Sequence, residues 1–153
     1  MKTFTLSGLV LALVILAGGW SCNQNQSSVQ RAATANKDFI NAVAAAQQAE
    51  IQFHDPCTSP GTPAGCGEID DTLHIAFQRD FKTLAQCSDQ AGQAFAANNT
   101  AGAQAALKAC STSVQSLITN NAAGIKNPST KASLTALLVA IQTSVNTALA
   151  FLQ

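Results

Sequence analysis

The chain has 153 residues, 47% of them hydrophobic and only 10% charged, with eight Lys plus Arg set against eight Asp plus Glu. A chain so sparsely and evenly charged lacks the clustered cations that nucleic acid requires, and its apolar content excludes a disordered polyelectrolyte. The length suits one domain, and 29 alanines with no tyrosine suit closely approaching helices.

Residues 1–22 read MKTFTLSGLVLALVILAGGWSC. Lys2 supplies the positive start, Leu9 to Ala17 is an unbroken apolar run, and Gly18 and Gly19 follow it. This is a secretory layout, shorter than the ~20 apolar residues of a membrane span. Cys22 stands directly after the run and before the polar stretch NQNQSS. The segment resembles the export signal of bacterial lipoproteins. That resemblance implies cleavage before Cys22, lipid modification of its thiol and a membrane anchor. Trp20 departs from it, because such signals carry a small residue two places before the cysteine. The resemblance covers only the N-terminal segment, and the mature chain shows no family motif. The expected organisation is therefore a signal peptide over 1–21, a lipidated Cys22 with its tether over 22–27, and a helical domain over 28–153.

Beyond the tether, Ser28 to Phe53 contains no Gly or Pro and is rich in good helix formers. Ser27 and Gln30 have capping-box spacing. Ala32, Ala35, Phe39, Ala42, Val43, Ala46, Ala49 and Phe53 recur at helical period. The next fourteen residues, HDPCTSPGTPAGCG, hold three prolines and three glycines and read as a loop. A second helix is predicted from Glu68 to Ala97, opened by Glu68, Asp70 and Asp71 at its positive end. Its inward side is Ile69, Leu73, Ala76, Phe77, Leu84, Cys87, Ala91, Ala94 and Phe95.

Asn98-Asn99-Thr100 is a tight connection with Thr100 as the expected cap. A third helix, Ala101 to Ala123, is expected to bury Ala103, Leu107, Cys110, Val114, Leu117, Ile118 and Asn121, and to stop at Gly124. Asn127-Pro128 opens a fourth. Its stripe is Leu134, Leu138, Ile141, Val145, Leu149 and Leu152, and the run LLVAI at 137–141 is apolar round most of the helix. The compact arrangement of four helices with short links is an all-α, antiparallel up-down four-helix bundle.

Five cysteines leave one odd thiol in an exported chain. With Cys22 carrying lipid, the other four can pair. Cys87 and Cys110 lie equally far, 11.5 residues, from a turn centred at 98.5, so an antiparallel hairpin sets them face to face. Cys57 and Cys66 bracket the Pro/Gly loop. The expected disulfides are Cys57–Cys66 and Cys87–Cys110, each contributing about 2–4 kcal/mol.

Both histidines fall at one end of this bundle, in the pairs Glu50/His54 and Asp70/His74, each four residues apart. Two carboxylates and two imidazoles suit a divalent transition metal. The third and fourth helices, however, contain no Asp or Glu to complete a bundle-core site. The pairs are therefore read as solvated helix-end polarity, with no metal and no cofactor. No GxSxG elbow, CxxCH or Gly-rich phosphate loop is present, so no catalytic residue is assigned and no enzyme is expected. The third and fourth helices carry only Lys108, Lys126 and Lys131 as charged side chains, leaving Ser, Thr, Asn and Gln on their outer faces. The resemblance thus implies an exported protein of the bacterial cell envelope, anchored to membrane through lipid, or secreted if Cys22 is unmodified. It is expected to act as a structural or interaction module, with an envelope protein as its candidate partner and no nucleic acid. The alternative is a periplasmic ligand or metal carrier using Glu50, His54, Asp70 and His74.

Overall fold

The computed structural model describes residues 26–55 and 67–153; residues 1–25 with Cys22, and the expected Cys57–Cys66 pair, lie outside the described residues. Among the described residues there are four α-helices and no strand. Helix α1 spans Ser28–His54. Its start is a complete capping box: the Ser27 N–H donates to Gln30 Oε1 at 2.9 Å and the Gln30 N–H to Ser27 Oγ at 3.2 Å.

Helix α2 spans Asp71–Ala96, three residues later than the sequence pattern suggests. The reason is local. Gly67 turns the chain at φ +69°, where a side chain would be strained. The N–H groups of Glu68 and Ile69 then donate to the Phe53 carbonyl at 2.8 and 3.2 Å, which keeps both residues out of the helix. Asp70 becomes the cap and accepts the Leu73 N–H at 2.9 Å.

Helix α3 spans Thr100–Ser116 and is capped by Asn99, not Thr100. Asn98 occupies the left-handed region at φ 54°, which asparagine tolerates, and this aims the side-chain Oδ1 of Asn99 at the Gly102 N–H, 2.9 Å away. The expected single helix to Ala123 is also revised. A π-helical turn, Leu117–Asn121, follows α3, and a 3-10 turn, Ala122–Gly124, ends the segment. The Thr119 hydroxyl donates to the Gln115 and Ser116 carbonyls at 3.0 and 3.3 Å, occupying groups that the wider register loosens.

Helix α4 spans Pro128–Ala150, with the side-chain Oδ1 of Asn127 accepting from the Ser129 and Thr130 N–H groups. It is long and apolar enough to cross a membrane by length and composition. Here Leu134, Leu138, Ile141 and Val145 are fully buried and form one side of the protein core, while Val139 of the same apolar run is half exposed.

Helix α1 packs on α2 and α4, and α3 packs on the same two. All four contribute to one core built around Phe39, Phe77, Phe81, Leu84, Leu107, Leu117, Leu134 and Leu138. Burying each of these stabilises by about 1.5–3 kcal/mol. Phe81 escaped the expected stripe of α2, and Ile118 is only partly buried. Cys87 and Cys110 are joined in a disulfide across α2 and α3, with Cα atoms 5.6 Å apart.

Candidate functional site

The last turns of α1 and the first turns of α2 bring six polar side chains together. Glu50 is completely buried. A buried carboxylate needs donors on both oxygens, and α2 supplies them. His74 Nδ1 lies 2.8 Å from Glu50 Oε1, and Gln78 Nε2 donates to Oε2 at 2.6 Å. The Gln47 amide donates in turn to Gln78 Oε1 at 2.7 Å, extending the chain of hydrogen bonds back to α1. One turn nearer the helix end, His54 Nε2 lies 3.0 Å from Asp71 Oδ1. The two imidazoles stack with centroids 3.8 Å apart and planes inclined by 16°. The arrangement is a double clasp, with one carboxylate–imidazole contact in each direction between the helices.

This geometry corrects the sequence reading in two ways. The pairs cross between helices, Glu50 with His74 and His54 with Asp71, rather than running along one helix. Asp70 takes no part, since its carboxylate is held by the Leu73 N–H. Glu50 is also not a solvated end group, because α2 covers it. Three participants were missed: Asp71, Gln47 and Gln78. The available signal was their helical spacing, Gln47 three residues before Glu50 and Gln78 four after His74.

Facing the Glu50 carboxyl group at hydrogen-bond distance, the Nδ1 side of the His74 ring is engaged, and Nε2 is the ring nitrogen turned away from it. Such a nitrogen can take a proton or bind a single ligand atom. Nucleophilic catalysis would need a hydroxyl or thiol hydrogen-bonded to it; the polar contacts of both rings are with carboxylates. Among the described residues no group of three or more His, Cys, Asp and Glu side chains is arranged to hold a metal ion.

Two further polar contacts tie this end together. The Asn127 amide donates to Glu68 Oε1 at 3.0 Å, and the Asn121 amide to Asp80 Oδ2 at 2.9 Å. Of the three large apolar side chains exposed among the described residues, two follow clasp residues directly: Ile51 after Glu50, and Ile75, 67% exposed, after His74. No protein-family model, curated protein sequence or solved structure matches the chain.

Proposed function

We propose that this chain is an exported, lipid-tethered, non-enzymatic interaction module of the bacterial cell envelope, built as an antiparallel up-down bundle that presents its clasp end to a protein partner. Several contacts support the up-down course. Partner positions fall along α2 as they rise along α1, from Asn36 with Ser88, through Gln47 with Gln78, to His54 with Asp71. The guanidinium of Arg31 at the start of α1 lies 5.1 Å from the Phe151 ring at the end of α4. On this course the tether leaves one end and the clasp closes the other, about 40 Å away along the 27 residues of α1.

The oxidised Cys87–Cys110 pair supports export, because such bonds persist in oxidising compartments. A non-catalytic reading is supported by the clasp itself, whose imidazoles and carboxylates bind one another across the helices. The observation that carries the proposal is Ile75. A β-branched apolar residue two-thirds exposed beside a rigid polar clasp is the kind of anchor that partner surfaces enclose.

The test places a photo-reactive amino acid at position 75 and, separately, at position 139, where Val139 is also exposed but lies on α4. A discrete adduct in intact cells from position 75 alone is the expected result. Adducts from neither position, or from 139 alone, contradict the assignment of the clasp end.

A further inference from the structure

A groove of about 480 Å³ runs along α3, its π-helical turn and α4. Its lining consists entirely of hydroxyl and amide side chains, among them Ser111, Gln115, Thr119, Asn120 and Gln142. The volume is within the range of small-ligand sites, and no charged group stands in it. Some of the donors of this lining are committed. The Thr112 hydroxyl donates to the Lys108 carbonyl at 3.1 Å, and Thr119 to the Gln115 carbonyl at 3.0 Å. The Asn120 amide donates to Ser116 Oγ at 3.0 Å. The oxygen lone pairs of Thr112 and Thr119 remain as acceptors, and the Gln115 amide and Ser116 hydroxyl remain as donors, so the groove both donates and accepts hydrogen bonds.

Gln142 adds the second observation. Its Nε2 donates to Ser111 Oγ at 2.7 Å and to Asn146 Oδ1 at 3.1 Å. Its Oε1 is buried and takes no hydrogen bond from any protein donor. A buried acceptor without a donor carries a desolvation cost that an incoming donor removes. Rotating the soft terminal torsion of Gln142 turns that oxygen toward a group in the groove, in exchange for its Nε2 bonds to Ser111 and Asn146.

We propose that this groove binds a short neutral oligosaccharide, whose hydroxyl groups, each both donor and acceptor, match a neutral lining of hydroxyls and amides. Ser111 to Thr119 spans about 12 Å along the helix, room for a few sugar units. A protein partner would seek an apolar or aromatic anchor pocket, and the lining offers none. This inference rests on the groove and not on the tethered-module reading.

The test titrates the disulfide-bonded chain with maltotriose and with chitotriose, following backbone and side-chain amide shifts by NMR. The expected result is saturable shifts at Gln115, Thr119, Asn120 and Gln142, with a dissociation constant of about 1 mM for at least one sugar. Gln142→Leu should weaken that binding at least ~10-fold. Thr119→Val, a near-isosteric change at an exposed position, should weaken it too, and serves alone if Gln142→Leu does not fold. Absence of saturable shifts with both sugars up to about 50 mM, or shifts insensitive to these substitutions, overturns the proposal. Saturation of the same amides by a neutral Ser/Thr-rich peptide and by neither sugar also overturns it.

Discussion

Glu50 contributes no exposed surface, yet both its oxygens are satisfied from α2. The two ends of its contact with His74 therefore behave unequally when cut. His74 is partly exposed, so without Glu50 it can turn to water. Glu50 has no such escape. His74→Ala should cost about 2–4 kcal/mol, as expected for a stranded buried charge, whereas Glu50→Gln, which removes the charge and keeps the shape, should cost about 1 kcal/mol. Urea unfolding of the singles and the Glu50→Gln/His74→Ala double measures this. The expected coupling is about 1–3 kcal/mol, and strict additivity would show that the clasp is not a unit. The sequence places three of these polar residues, Glu50, His54 and His74, at one end of the molecule. It leaves the partner choice open, because i, i+4 spacing permits pairing along a helix as readily as across two. What decides is the turn at Gly67 and the two bonds to the Phe53 carbonyl, which delay α2 by one turn and spend Asp70 on the cap.

At the scale of the element, the caps set where helices begin, and the α2–α3 link shows how tightly. A Cβ built on Gly102 would lie 2.5 Å from the Asn99 amide nitrogen. Gly102→Ala should therefore gain the ~1 kcal/mol of alanine helix propensity only by losing a cap of about the same worth. Its net effect on stability should be close to zero in the natural chain and about 1 kcal/mol stabilising in an Asn99→Ala background. Equal effects in both backgrounds, read from chemical denaturation, would show that cap and side chain do not compete. The disulfide acts one level up, between helices. It closes a loop of sequence separation 23, and loop-closure entropy gives roughly 3 kcal/mol. Replacing both Cys87 and Cys110 with Ala should lower the melting temperature by about 10 °C while the far-ultraviolet helical signal persists. An unchanged melting temperature would mean that packing alone holds α2 on α3.

The four helices and most of the core were legible because apolar residues recur every 3.6 positions and Gly, Pro and Asn punctuate them. Leu134, Leu138, Ile141 and Val145 were placed by that rule and are all buried. The π-helical turn was not, since a stripe drawn on a regular helix does not anticipate a register change such as that at Leu117–Asn121. Phe81, four residues after Phe77 and three before Leu84 on the regular helix α2, is legible by the same period, though the expected stripe omits it. Over the whole molecule, charge is divided by element. All eight acids fall between Asp38 and Asp89, and from Thr100 onward the only charges are Lys108, Lys126 and Lys131. The half formed by α1 and α2 is thus acidic and the half formed by α3 and α4 nearly neutral, an asymmetry that orients approach to charged partners.

The central claim is a bundle exported through its N-terminal segment and held by lipid at Cys22, with the remaining four cysteines paired. Mass spectrometry of the protein from the membrane fraction, with peptides mapped without reduction, tests all of this in one measurement. The account predicts a chain beginning at a diacylglyceryl-modified Cys22, with Cys57 linked to Cys66 and Cys87 linked to Cys110. An unmodified Cys22 thiol in soluble material, or a bond joining Cys57 or Cys66 to Cys87 or Cys110, would contradict it.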